Sequence, residues 1–351
     1  MMTQRGSTPR EAETADTLSD VLQTVKLTGA LYFITDAAPP WGVEVPDGAA
    51  LAPIILPRAQ HVMSYHIVTR GTCWAGLMGE PAVALEQGDI VIFPHGDPYV
   101  MSMDAGGRAE LDVDASMVVF SMMAEGRLPF TIREGGDGAE RMNLVCGFLG
   151  WDVRPFNPLL ATLPRLLHVR RPATSDDDIL SQLIGLTIAE SREERAGADC
   201  MRLRLSELMF IEVVRRYFRE IPAGQSGWLA GLQDPFVGRA LVLLHKQPAH
   251  PWMLEELAES VGLSRSALAG RFTQLVGQPP MQYLSRWRMQ VAARLLADGA
   301  TKVSAVALSV GYASEAAFSR SFKKATGVSP AAWRRSGAHR IPLSGDYESP
   351  S

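Results

Sequence analysis

One pattern is written twice between residues 253 and 334, and few folds can accommodate that. Ser264-Arg-Ser-Ala-Leu268-Ala-Gly-Arg-Phe272, followed by Gly277-Gln-Pro-Pro280, recurs fifty residues on as Ser314-Glu-Ala-Ala-Phe318-Ser-Arg-Ser-Phe322, followed by Gly327-Val-Ser-Pro330. Tyr283 answers Trp333 in the same register. So many matched positions point to an internal duplication. Each copy reads as helix, turn, helix. Leu254, Leu257, Ala258 and Val261 form a short amphipathic stripe, Gly262 suits a left-handed C-cap, and Ser264 can cap the next helix. Val303, Val306, Ala307, Val310, Gly311 and Ser314 repeat the arrangement with one more residue in the turn. Between the copies, Tyr283, Leu284, Trp287, Val291, Ala292 and Leu295 predict one long helix over 281–296. The result is two helix-turn-helix units on a spacer.

Charge agrees with a nucleic-acid partner. Residues 231–340 hold fourteen Lys and Arg against six Asp and Glu, a net +8 in a chain whose total is −4. A basic module joined to an acidic remainder is the footprint of phosphate binding. The run Gly311-Tyr-Ala-Ser314-Glu-Ala-Ala-Phe318-Ser-Arg320-Ser-Phe322-Lys-Lys-Ala-Thr-Gly327-Val-Ser-Pro330 resembles the signature of the AraC/XylS family of bacterial transcription regulators. The resemblance implies a cytoplasmic activator that binds a promoter operator in double-stranded DNA and works with RNA polymerase. It also places Arg265, Ser266, Ala269 and Gly270 of the first unit, and Glu315, Ala316, Ser319 and Arg320 of the second, towards base edges. Arg271, Lys323 and Lys324 stand beside them as further DNA-binding positions.

Upstream the periodicity changes. Ala30–Thr35, Ala52–Leu56, His61–Val68, Cys73–Met78, Ala82–Leu85, Ile90–Phe93, Tyr99–Met103 and Met117–Met122 read as short strands, which predicts an antiparallel barrel or jelly roll. Leu85-Glu-Gln-Gly88-Asp-Ile-Val-Ile-Phe-Pro94-His95-Gly96-Asp-Pro-Tyr99 is similar to the second characteristic motif of cupins, and Tyr65-His66-Ile-Val-Thr-Arg-Gly71 to the first. Leu144-Val-Cys146-Gly147 and the later Leu163-Pro164 to His168 stretch also resemble AraC-type regulators whose sensor is a cupin. Residues 126–140, rich in Gly and charge, read as a mobile loop near the barrel mouth.

The expected class is therefore α+β. A disordered start (1–17) precedes a cupin-like sensor domain (18–172), in which Leu18 to Leu27 could form a short helix. A helical dimerisation segment and linker (173–230), a double helix-turn-helix domain (231–337) and a flexible tail (338–351) follow. Asp176, Asp177 and Asp178 suit a helix start. The helix over 199–219 carries more apolar residues, Met201, Leu205, Leu208, Met209 and Val213 among them, than one packed face needs, which predicts a homodimer. No run is long and apolar enough to cross a membrane.

His61, His66, His95 and Cys146 are the residues able to build a metal site. The resemblance favours His66, His95 and Cys146 as ligands of a divalent ion such as zinc. Tyr99, however, occupies the place where a cupin's last histidine is expected. That weighs against the second reading, a metal-dependent cupin enzyme fused to a DNA-binding module. No phosphate loop, nucleophile elbow or carboxylate pair supports catalysis. A nonspecific DNA-compacting protein is a third reading. Cys73 and Cys146 are candidates for redox sensing beside the commoner role of inert core thiols, and Cys200 lies on the predicted dimer helix. Met101, Met103, Met117, Met122 and Met123 give the barrel a soft lining or filling. The effector is an unidentified small molecule, metal or redox signal.

Overall fold

The computed structural model describes residues 17–23, 27–57, 59, 61–106, 109–151, 155–170, 178–191, 196–221, 224–299 and 301–336. The expected disordered start to residue 16, the tail 338–351, Asp176 and Asp177 lie outside them. The chain divides into two compact units, Leu27–Asp152 with Leu163–Glu220, and Met1–Lys26 with Val153–Thr162 and Ile221–Ser351.

The first unit is built on two sheets. Strands β1 (Leu27–Ala38), β3 (His61–Arg70), β6 (Ile90–Phe93), β8 (Thr131–Gly135), β9 (Met142–Trp151) and β10 (Leu167–Val169) form one, in the order β10-β6-β3-β9-β1-β8. Strands β2 (Gly42–Val45), β4 (Cys73–Leu77), β5 (Val83–Leu85) and β7 (Tyr99–Ser102) form the other, in the order β2-β7-β4-β5. The long strands bury both faces. On β3 and β9, Val62, Val68, Leu144, Cys146 and Phe148 point into the core between the sheets. Tyr65, Ile67 and Leu149 alternate with them and face helix α5 (Ala198–Glu220) through Met209, Phe210 and Val213. Gly147 is required there, since a Cβ would stand 2.2 Å from the Tyr65 ring.

Three segments depart from expectation. Ala52–Leu56 falls in and at the end of helix α2 (Gly48–Ile55), and Met117–Met122 lies inside helix α3 (Val113–Ala124). Their starts are fixed by Asp47 and Asp112, whose carboxylates accept hydrogen bonds from Ala49 N (2.7 Å) and Ala115 N (2.9 Å). The stretch expected as a loop contains β8, paired in parallel with β1 from Ile34↔Thr131 to Ala38↔Gly135. Helix α4 (Ile179–Ser191) packs beside α5, opened by Asp178, which accepts from Ser181 N and pairs with the buried Arg216.

The helix expected from Leu18 covers residues 17–23 (α1) and groups with the second unit, while Leu27 opens β1. The second unit then runs through α6 (Trp228–Gln233), α7 (Val237–Lys246), α8 (Leu254–Val261), α9 (Arg265–Val276), α10 (Pro280–Ala297), α11 (Val303–Ser309), α12 (Glu315–Thr326) and α13 (Pro330–Ser336). The expected linker ends early. Trp228 is fully buried in α6 and its indole N–H donates to the Tyr283 hydroxyl at 2.7 Å. In the second repeat Trp333 holds the place of Tyr283, and its N–H donates to Ala293 O instead. Residues 155–162 also belong to this unit: Phe156 lies edge-on to Tyr283 and its N–H donates to Gln290 Oε1.

Candidate nucleic-acid interface and barrel cavity

Both turns of the duplicated motif are closed in the same way. Gly262 has φ +82° and Leu263 N–H returns to Ala258 O; Gly311 has φ +82° and Tyr312 N–H returns to Ala307 O. At Gly311 a Cβ would also meet Ala249 O at 2.6 Å, so both conformation and space demand glycine. Ser264 and Ser314 then cap α9 and α12 by accepting from Ala267 N and Ala317 N. Each second helix is pinned by one buried edge, Leu268, Phe272 and Val276 in α9 and Phe318, Phe322 and Thr326 in α12. What remains exposed is the edge that sequence assigned to DNA.

That edge differs between the copies. On α12, Glu315, Arg320, Lys323 and Lys324 are exposed, Ser319 is half-buried beside them, and these charged side chains make no ion pair among the described residues. On α9, Ser266 and Gly270 are exposed, whereas Arg265 is paired with Glu255 of α8 at 2.8 Å. Both partners are more than half exposed, and such a surface pair is worth too little to hold the guanidinium away from a base. Arg271 is differently placed. Its guanidinium donates twice to Asp234 Oδ2, at 2.8 and 2.6 Å, and lies over the Phe236 ring. Burial alone would raise the Asp234 pKa, but the Arg271 bonds together with the Val237 and Phe236 N–H bonds outweigh it and the carboxyl ends below its ordinary value. Asp234 also accepts from Phe236 N and Val237 N, so in this structure Arg271 ties the exposed edge of α9 to the α6–α7 corner.

In the other unit a pocket opens between the sheets. Aromatic side chains dominate it, with Phe33, Trp41, Phe120 and Phe148 on its walls. His66 lies on one side, its Nε2 sharing a hydrogen bond with the Tyr99 hydroxyl at 2.7 Å, while Tyr99 stacks on Phe93. Burial pushes the His66 pKa down to about 3, so the ring is neutral at neutral pH. Cys146 faces His66 across the β3–β9 ladder, with Thr35 Oγ1 at 3.6 Å from its sulfur.

The expected metal ligands do not assemble. His66 and Cys146 meet, but His95 sits in the turn after β6 with its Nε2 bonded to Leu163 O at 2.8 Å, and His61 bonds Pro94 O. Among the described residues no three His, Cys, Asp or Glu side chains come together as a metal site. The donor set therefore does not fit zinc. The thiols are equally unsuited to redox sensing: burial raises the Cys73 pKa to about 12 and raises that of Cys146 as well, and the thiolate is the reactive form. Sequence reasoning missed Glu134, the carboxylate on the cavity wall, because it lay in the segment read as a loop. The alternation Ile132, Glu134 on one side of β8 was the available signal.

A cupin family model matches residues 16–219, and a helix-turn-helix domain model matches residues 257–336. An AraC-like transcription regulator of Streptomyces antibioticus is 32% identical over 93% of this chain and 100% of its own length. One from Streptomyces lividans is 33% identical over 91% of this chain and 98% of its own. Among solved structures, a DNA-binding transcriptional dual regulator from Escherichia coli K-12 is 28% identical over 31% of this chain and 97% of that one, with a TM-score of 0.28.

Proposed function

The chain belongs to the AraC-like transcription regulators, DNA-binding proteins rather than enzymes, and on that premise we propose that it is a cytoplasmic activator whose barrel cavity receives a small molecule. The cavity carries the sensing half of this reading. It is lined by apolar walls with a few polar groups, the composition of a small-molecule site. Among the described residues no helix is long and apolar enough to cross a membrane.

The exposed basic edge of α12, beside a sparser α9, supports the DNA-binding half. Helix α10, with 18 residues, is about 27 Å long and spaces the two second helices for neighbouring major grooves roughly one turn apart on one face of a duplex. Arg265 and Glu315 read bases, Ser266 and Ser319 support them, Arg320 contacts guanine or a phosphate, and Lys323 and Lys324 grip phosphates. Replacing Arg265 with Ala should cost about 1–3 kcal/mol at one base pair and relax preference there. Replacing Lys323 with Ala should weaken every sequence alike and flatten the dependence on salt. Binding to a set of single-base operator variants at one salt concentration checks both. Equal losses on every variant would show that reader and clamp are wrongly assigned, and equal affinity of the wild type for operator and random duplex would favour the DNA-compacting reading.

Recruitment of RNA polymerase by a dimer completes the proposal. Most of the apolar surplus of α5 is absorbed by the sheet and α4, since Leu205, Met209, Phe210, Val213 and Val214 are buried. Met201 and Leu208 of α5 and Ile179 and Leu186 of α4 each remain about half exposed. Charge placed at Leu186 or Leu208 should weaken dimerisation by about 2 kcal/mol without disturbing the fold, whereas Met209→Glu would bury a charge against the barrel. Sedimentation at micromolar concentration tests this, and a monomeric wild type would refute it.

A further inference from the structure

The barrel cavity has one carboxylate and no cation. Among the described residues that line it, Glu134 is the one acidic side chain, and no Lys or Arg is present. The Glu134 Oε2 accepts a hydrogen bond from Trp41 Nε1 at 2.6 Å, which fixes the carboxyl against an indole that is itself 6% exposed. Arg133, the nearest basic residue in sequence, turns outward and lies 3.6 Å from Asp36, which Arg141 also binds. Burial raises the Glu134 pKa despite the opposing Trp41 bond, the mark of a carboxyl that lacks a cationic partner. An uncompensated carboxylate in an apolar site is costly, and natural proteins retain one where something pairs with it.

Two further groups are left open in the same cavity. Ser116 Oγ and His66 Nδ1 are buried and have no hydrogen-bond partner among the described residues, although nearly all buried polar atoms in folded proteins have one. Both residues line the cavity.

Resting on the reading of this cavity as the effector site, the geometry points to a ligand class: a protonated amine carrying an apolar body. The ammonium pairs with Glu134 and lies against Trp41, whose ring attracts a cation. Ser116 Oγ accepts a second N–H. The apolar part lies among Phe33, Phe120 and Phe148. An anionic amphiphile meets Glu134 with no compensating cation, and a neutral one leaves the carboxyl unpaired.

The full-length protein is titrated calorimetrically with octylamine, 1-octanol and octanoate, and the octylamine and octanol titrations are repeated with Glu134→Gln and Trp41→Phe. Octylamine is expected to bind the wild type about tenfold or more tightly than octanol. Glu134→Gln should bring the two within about threefold while octanol affinity stays unchanged, and Trp41→Phe should weaken the amine more than the alcohol. Octanol or octanoate binding as tightly as octylamine overturns the amine assignment but leaves the cavity as a receptor. So does an amine preference that survives in Glu134→Gln. Binding of none of the three overturns the cavity reading itself, and the assignment with it. Thermal melts of each variant establish that it is folded before it is titrated.

Discussion

Phe322→Ala should destabilise the C-terminal unit by about 3–5 kcal/mol, the cost of removing a fully buried aromatic ring and leaving its volume unfilled. Phe322 touches Phe318 at 5.5 Å between ring centroids and Trp333 at 5.7 Å, within a cluster closed by Leu296, Val306, Ala307 and Val310. This cluster fixes α12 on the long spacer helix. Losing it should take phosphate and base contacts with it, so operator affinity should fall even under conditions where most molecules stay folded. The duplication supplies an internal control. Phe272 holds the same place in the first copy, is equally buried and lies 5.7 Å from Tyr283, so Phe272→Ala should cost a similar amount. Phe322→Leu keeps most of the volume and should cost less than half as much. Urea denaturation of the three variants measures this. A loss below about 1 kcal/mol for Phe322→Ala would mean that the ring is not a structural anchor.

The C-terminal unit was legible because its determinants are local. A helical stripe, a left-handed glycine and a capping serine lie within about ten residues of one another, and they recur in the second copy. The barrel was legible where turn residues bracket a buried strand, as Gly88 and Gly96 bracket Ile90–Phe93, with both glycines at positive φ. It was illegible where a short apolar run fits either period. Ala-Pro-Ile-Ile-Leu at 52–56 and Met-Val-Val-Phe-Ser-Met at 117–122 look like strands by composition. The aspartates five residues before each run decide the matter, by capping α2 and α3. Strand β8 was hidden for another reason. Its partner, β1, is about a hundred residues away, and pairing at that distance leaves no local trace in a Gly-rich, charged segment.

The site residues divide along the same line. Positions set by the repeat register, such as Arg320 and Lys323, emerged on the exposed edge. Contacts to partners distant in sequence were not legible: Arg271 pairs with Asp234, His95 bonds Leu163 O, and Glu134 entered the cavity through a strand that was not foreseen. Tyr99 was the informative departure within the cupin-like motif. It fills the place of a metal-binding histidine with a ring stacked on Phe93 and a hydroxyl that engages His66.

Acidification from pH 7 to pH 5 should cost the protein about 2 kcal/mol for each of two histidines, one in each unit. His66 in the barrel and His245 in the C-terminal unit are both buried, and burial lowers each pKa from its ordinary 6.5 to about 3. His245 Nε2 shares a hydrogen bond with the Tyr283 hydroxyl at 2.7 Å and its ring stacks on Trp287 at 3.9 Å, with no carboxylate bonded to it among the described residues. The sign follows from proton counting. Between pH 6.5 and 3 the unfolded chain binds a proton at each position and the folded chain does not, so stability rises with pH across that window. It is fully present above 6.5 and is lost progressively as the pH falls. At pH 5 the unfolded histidine lies 1.5 pH units below its own pKa, which at about 1.4 kcal/mol per unit gives the stated loss. Asp178 and Asp234, whose pKa values are lowered, add their own losses only at more acid pH, while the step from 7 to 5 also contains a further loss from the buried His61, whose pKa is lowered, and an opposing gain from the raised Glu134 carboxyl. His245→Gln will lower stability at pH 7 by disturbing the bond to Tyr283. The diagnostic quantity is therefore the difference between pH 7 and pH 5, which should shrink by about 2 kcal/mol in His66→Gln or His245→Gln and by about twice that in the double variant. Denaturant titrations at the two pH values measure it, and a wild type equally stable at both would show that these rings are accessible to protons in the folded state.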